Sequence, residues 1–325
     1  MLSGKTVICV IPAYNVEHQI RRTVEGIGRY VDFIIVVDDC SVDKTSDVIR
    51  QIKDERLVLL KNERNMGVGG ATINGFKKGL ELQGEIFIKV DGDDQMDTEK
   101  MEQLIAPLFK GYDYAKANRF LHSKELSQMP MLRLIGNFLL TFLTKISSGY
   151  WNIFDPQNGY FAMTRNTLKL LPLDKLHKRY FFENDVLINM NINRAQICDV
   201  PIGARYADEK SSLKIWKVLI YFPPLLVRRF LRRIYKKYIL YDFSVIGFFY
   251  TVGLILMTFG CLFGAYHWFK SIWIGAAATT GTVMIAVLPI ILGFQLFLQA
   301  IVIEIEEIKE QSTIVKENTF LFKDI

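Results

Sequence analysis

The sequence predicts an α/β domain on a mostly parallel sheet, followed by a basic amphipathic stretch and a two-helix apolar hairpin. Three observations carry this. Short β-rich apolar runs alternate with helical patterns through the first two thirds of the chain. Polar clusters close those runs one after another. Two long segments near the C-terminal end then carry no charge. Alternating strands and helices give a largely parallel sheet covered on both faces.

The expected strands are 6–11, 33–37, 57–61, 86–90 and 112–116. The helices between them are 17–28, 43–53, 69–82 and 98–109. The clusters 12–15, 38–41, 62–65 and 91–95 fall at the carboxyl ends of the strands, where open α/β sheets bind ligands. No internal repeat or low-complexity linker interrupts the pattern. Cys9, Cys40, Cys198 and Cys261 are scattered with no CxxC pair, which fits reduced structural cysteines rather than a zinc or disulfide framework.

Half of the 325 residues are hydrophobic, and the excess is local. Segments 243–269 and 271–303 contain no Asp, Glu, Lys or Arg. Each exceeds the roughly 20 residues needed to cross a bilayer, and buried core helices rarely stay uncharged so long. The expected turn between them is 267–270. The net charge of +6 is also uneven. Lys214, Lys217, Arg228, Arg229, Arg232, Arg233, Lys236 and Lys237 precede the first span, interleaved with apolar residues. Such a segment lies on an anionic membrane surface, with Pro223-Pro224 expected to break it in two. A nucleic-acid patch is the alternative; the position against a span argues for lipid and against nucleic acid. The positive-inside rule places residues 1–240 and the C-terminal tail in the cytoplasm of an integral membrane protein. The apolar run 7–11 is too short for a signal-peptide core and meets Pro12. The expected divisions are 1–212 catalytic, 213–241 amphipathic, 242–304 spanning and 305–325 tail.

The candidate chemistry sits in the clusters. Asp91 and Asp93, separated by Gly92, can converge on one hard cation, Mg²⁺ or Mn²⁺, leaving positions for phosphate oxygens, with Gln95 as a further ligand or diphosphate contact. A solvated turn is the bland alternative. Asp39 is read as a nucleotide contact, whereas Ser41, Asp43 and Thr45 are read as helix caps. Tyr14 can stack on a base and Glu17 can contact the nucleoside. Asn65 and Gly67 lie in a glycine-rich turn that lets backbone approach a ligand.

Taken together, 12–17, 37–45, 65–70 and 91–95 resemble glycosyltransferase family 2 of the GT-A fold, and the two C-terminal spans resemble its polyprenyl-phosphate branch, which includes dolichyl-phosphate mannose synthases and bactoprenyl-phosphate glucosyltransferases. The resemblance covers 5–303. It departs at Cys40, where glycine is usual. It implies a Rossmann-like nucleotide-sugar-binding domain whose Pro12, Tyr14, Glu17, Asp39, Asn65, Gly67, Asp91 and Gln95 take a UDP- or GDP-sugar, and in which Asp91, Asp93 and Gln95 hold the metal. It further implies that Arg119 and Arg133 bind the acceptor phosphate, since arginine forks donate two hydrogen bonds at once. Asn137, Arg205 and Lys210 are further acceptor-side candidates, and 155–160 resembles the family's acceptor-side loop. In members that glycosylate hydroxyls an acid at the start of this helix serves as general base, a role the resemblance offers to Asp185 or Glu183 and a phosphate acceptor does not require. The expected activity is inverting transfer of a hexose, with UDP-glucose favoured, to a membrane polyprenyl phosphate. The alternatives are a hydroxyl acceptor served by Asp185 and a catalytically silent scaffold. Self-association through the spans is a further expectation.

Overall fold

The structure, a computed structural model, describes residues 2–119, 131–203 and 215–321. The chain forms two compact units, the first made of the residues to Arg229 and those from Gln311 on, the second of Phe230 to Glu310, so the end of the last helix falls in the first.

The first unit is built on a seven-stranded sheet. The strands are β1 (Val7–Ala13), β2 (Phe33–Asp38), β3 (Leu57–Lys61), β4 (Ile86–Lys89), β5 (Tyr114–Asn118), β6 (Phe161–Thr164) and β7 (Ile197–Pro201). Their spatial order is β3-β2-β1-β4-β6-β5-β7. Neighbours β3, β2, β1 and β4 pair in parallel, as do β5 and β7, while β6 runs antiparallel to both β4 and β5. β1 is buried along its whole length, as a central strand covered on both faces must be. The intervening helices are α1 (Ile20–Glu25), α2 (Thr45–Arg50), α3 (Val68–Glu81) and α4 (Met101–Ile105), the last flanked by short 3-10 turns. α3 has the expected length, α1 and α2 are shorter than expected at both ends, and the expected helix 98–109 is split into α4 and its two 3-10 turns.

After β5 come α5 (Met131–Ser148), α6 (Arg165–Leu170), α7 (Phe182–Ile192) and α8 (Ile215–Arg233). α8 corrects one expectation: Pro223 and Pro224 lie inside a continuous helix. Phe222 and Leu226, on either side of the pair, are buried with Leu140, Phe181, Ile188 and Ile192. This packing outweighs the local cost of the lost hydrogen bonds.

In the second unit a π-helical segment (Ile234–Leu240) leads to α9 (Val245–Ile274) and α10 (Thr280–Leu321). Each holds a 30-residue stretch, Val245–Ile274 and Thr280–Lys309, long and apolar enough to cross a membrane. The turn between them lies at 275–279 rather than 267–270, and Gly275 ends α9 in the left-handed region at φ 70°. The two helices pack through small residues. A Cβ at Gly253 would lie 2.8 Å from the Gly293 carbonyl, and one at Gly260 2.6 Å from that of Ala286. A buried Arg233–Glu304 ion pair ties the segment before α9 to α10, and the hydroxyls of Tyr238 and Tyr250 donate to Glu304 at 2.6 and 3.1 Å.

Candidate active site

The loops after β1 and β2 are locked to each other by side chain to backbone bonds. Asn15 N donates to Ser41 Oγ at 3.0 Å, and Val42 N to Asn15 Oδ1 at 3.0 Å. Glu17 N donates to Asp43 Oδ2 at 3.2 Å, and Lys44 N to Glu17 Oε2 at 2.8 Å. Asp43 also accepts from Thr45 N at 3.0 Å. Tyr14 projects beside them, about half exposed. Cys40, the departure from the usual glycine, has φ 64°, a left-handed conformation that explains why glycine is favoured there.

Asp39 is buried and anchors the third loop. It accepts from Asn62 Nδ2 at 2.7 Å, Met66 N at 2.8 Å and Gly67 N at 2.7 Å. The carboxylate read from the sequence as a nucleotide contact thus shapes the 62–67 turn. Gly67, at φ 82°, is needed because a Cβ would lie 2.7 Å from Lys178 O. Asn65 is exposed on that turn, and Pro12 is buried within β1.

Beyond β4 the chain builds a small cleft of about 100 Å³, lined by Asp91, Asp93, Gln95 and Met96 on one side and by Arg119, Gln157, Asn158 and Gly159 on the other. Tyr160 Oη joins the two loops by donating to Asp97 O at 3.0 Å. Burial, and next the neighbouring Asp91 carboxylate, push Asp93 up to about 6. Asp91 Oδ1 is buried and lies 2.7 Å from Lys89 Nζ, yet no donor is aligned on it. Two neighbouring carboxylates, one with an oxygen that no donor is aligned on, beside a carboxamide, fit a hard divalent cation. Among the described residues no group of three or more His, Cys, Asp or Glu could hold a metal ion by itself.

On the facing wall Arg119 makes a two-pronged ion pair with Asp155, Nε to Oδ2 at 2.6 Å and NH2 to Oδ1 at 2.8 Å. Burial opposes ionisation of Asp155, but Arg119 outweighs it and holds the carboxyl below its ordinary value. Lys116 is buried beneath this loop. Its Nζ donates to the carbonyls of Asp155, Phe154 and Ala117, the latter two at 3.3 and 3.2 Å, and burial lowers its pKa.

The acids of α7 are committed elsewhere. Asp185 is fully buried; its Oδ2 accepts from Arg229 NH2 at 2.7 Å and His177 N at 2.9 Å, and its Oδ1 from Asn189 Nδ2 at 3.1 Å. Glu183 pairs with Lys89 at 3.3 Å. Neither lines the cleft. Arg133 and Asn137 fall on α5 with side chains outside the described set, and Arg205 and Lys210 lie outside the described residues. The sequence reading overlooked Lys89, Lys116 and the Asp155 clamp. The available signal was a lysine in each of two otherwise apolar strands, since buried lysines need partners.

The sequence matches the profile described as Glycosyl transferase family 2 over residues 8–171. The chain belongs to this family. A UDP-N-acetylglucosamine–dolichyl-phosphate N-acetylglucosaminyltransferase from Methanococcus voltae is 32% identical over 223 residues, 64% of this chain and 88% of that protein. An undecaprenyl-phosphate mannosyltransferase from Micrococcus luteus is 28% identical over 204 residues, 60% of this chain and 82% of that protein. The fold also matches glucosyl-3-phosphoglycerate synthase from Mycobacterium tuberculosis, crystallised with Mn²⁺ and UDP, at TM-score 0.52 and 21% identity, over 71% of this chain and 80% of that one. This glycosyltransferase therefore carries its Asp91-Gly92-Asp93 cleft on a GT-A-like sheet.

Proposed function

We propose that this glycosyltransferase is inverting, requires Mg²⁺ or Mn²⁺, and moves a hexose from a UDP-sugar to a polyprenyl phosphate at the cytoplasmic face of a membrane. One observation carries the choice of acceptor: both acids that a hydroxyl acceptor would call on as base, Glu183 and Asp185, are buried in ion pairs with Lys89 and Arg229. A hydroxyl needs a base to take its proton. A phosphate monoester, with a second pKa of about 6, arrives as an anion and needs none. The names of the archaeal and bacterial relatives, which specify dolichyl and undecaprenyl phosphate, support the same acceptor.

In this mechanism an acceptor phosphate oxygen attacks the anomeric carbon as the bond to the nucleoside diphosphate breaks. Arg119, its plane fixed by Asp155, holds the acceptor phosphate together with Arg133, and Arg205 and Lys210 add positive charge. Tyr14, Glu17 and the turn anchored by Asp39 receive the nucleoside. Asp91, Asp93 and Gln95 would hold the divalent cation, which supplies stabilisation of the charge that gathers on the leaving diphosphate. The spans anchor the chain in the bilayer, and the basic stretch before them attracts anionic lipid headgroups. The bacterial resemblance favours UDP-glucose as donor, and the Methanococcus relative's name brings UDP-N-acetylglucosamine beside it.

The test incubates full-length protein in lipid nanodiscs with labelled UDP-glucose, UDP-N-acetylglucosamine or GDP-mannose, undecaprenyl phosphate and Mn²⁺. Metal-dependent label in the organic phase is expected with a UDP-sugar. Label reaching only hydroxyl acceptors overturns the reading.

A further inference from the structure

Lys89 is a charge set in an apolar strand. It ends β4, which lies between β1 and β6 in the middle of the sheet, and its side chain is 1% exposed. Removing an ammonium from water is costly unless close partners compensate. Two do: Asp91 Oδ1 at 2.7 Å and Glu183 Oε1 at 3.3 Å. Burial alone would lower the Lys89 pKa, but these two carboxylates outweigh it and hold the amine above its ordinary value. Gly159, from the facing loop, closes the remaining side. A Cβ there would fall on Lys89 Nζ and lie 2.9 Å from Asp91 Oδ2.

The ammonium therefore touches one carboxylate of the cleft directly and is itself held by an acid from α7. We propose that Lys89, anchored by Glu183 and enclosed by Gly159, is a positioning residue that fixes the orientation of the Asp91 carboxylate for the divalent cation. The inference rests on the cation assignment made above. It also gives Glu183 a role other than proton transfer. The rival account is a plain ion pair that stitches β4 to α7. The two differ in what survives when the pair is replaced as a unit.

Lys89→Met with Glu183→Leu removes one positive and one negative charge, so the local charge stays balanced. Exchanging a buried ion pair for apolar side chains is often neutral for stability. Any change in metal affinity then reports the orientation of Asp91, not a change of field. Mn²⁺ affinity is measured by calorimetry on the full-length protein in detergent, with saturating UDP, beside a thermal melt. The double variant is expected to melt within a few degrees of wild type and to bind Mn²⁺ roughly 10–100-fold more weakly, the usual loss when a group that orients a metal ligand is removed. Lys89→Arg, which keeps the charge but cannot place it at the same point between Asp91 and Glu183, is expected to weaken Mn²⁺ binding in the same direction and decides the matter if the double variant does not fold. Folded variants that bind Mn²⁺ within twofold of wild type overturn the positioning role and leave the cation site standing. Wild type and Asp93→Asn binding Mn²⁺ equally overturns the cation assignment itself, and the inference with it.

Discussion

Asp185→Asn separates a phosphate acceptor from an acceptor that needs a protein base. The carboxylate faces Arg229 NH2 at 2.7 Å, His177 N at 2.9 Å and Asn189 Nδ2 at 3.1 Å. Asparagine keeps one oxygen and turns an NH2 toward one of these donors. If the oxygen stays with Arg229 and His177, the ion pair falls to a neutral-acceptor hydrogen bond and the new amide meets the Asn189 amide. A hydrogen bond to a charged group contributes about 1.5–3 kcal/mol, and breaking a buried ion pair costs about 3–5. Arg229 is 18% exposed and recovers some hydration, so the net cost is about 2–3 kcal/mol. For a unit of this size that lowers the melting temperature by about 4–12 °C. Chemistry is not expected to follow: below the melt, kcat on undecaprenyl phosphate stays within about threefold of wild type, whereas loss of a general base costs roughly 10²–10⁴. The assay pairs thermal melts in detergent with initial rates at a temperature where both proteins are folded. A folded variant whose kcat falls a hundredfold or more at unchanged donor KM refutes the reasoning and restores Asp185 as a base.

Asp93→Ala is expected to reduce transfer by at least about a thousandfold while the melting temperature holds, and chelation of the wild type to do the same reversibly, with Mn²⁺ restoring the rate; initial rates with and without added metal check both. Burial raises Asp199 to about 6 in the folded protein, above its unfolded value, so the stability this group contributes is full below the unfolded pKa and is lost as pH rises through about 6. Urea or thermal melts of wild type against Asp199→Asn are therefore expected to show wild type gaining about 1–2 kcal/mol relative to the variant between pH 8 and pH 5, a figure discounted for partial exposure. Cys40→Gly relieves a left-handed backbone at φ 64° and is expected to stabilise by about 0.5–1 kcal/mol with turnover unchanged; melts and rates on the one variant suffice.

The parts legible in the sequence were those fixed by local pattern. β3 falls on residues 57–61 as read, because an apolar run bounded by polar residues leaves little choice. β6 (FAMT) and β7 (ICDVP) escaped notice: they are four and five residues long, and the antiparallel direction of β6 is set by its neighbours β4 and β5. The turn between the apolar helices was misplaced because Lys270 looked like a boundary, whereas a lysine near a helix end can reach water along its own stem. The acids of α7 show the limit most clearly. Sequence order puts Glu183 and Asp185 in a first helical turn, where they read as a base. Their ion-pair partners, Lys89 and Arg229, lie 94 and 44 residues away, where no local pattern announces them.

The sheet's rim also carries its cost in backbone geometry. Asn15, Cys40, Asp94 and Asp155 all have φ between 50° and 64°. Each follows a strand end or lies in a loop beside the cleft, and none is glycine. Left-handed residues of this kind cost of order 1 kcal/mol or more, and they persist only where their surroundings over-determine them. Two of them visibly are: Asn15 is bound to Ser41 and Val42, and Asp155 is clamped by Arg119 and Lys116. The same bonds tie the loop after β1 to that after β2 and fix the start of the 155–160 loop before any ligand arrives. A site formed in advance spends less of a ligand's binding energy on ordering loops and leaves more for the transition state. The ion pairs around the rim, Arg119 with Asp155 and Arg229 with Asp185, serve the same end: they fix side chains at the sheet's edge before any ligand arrives.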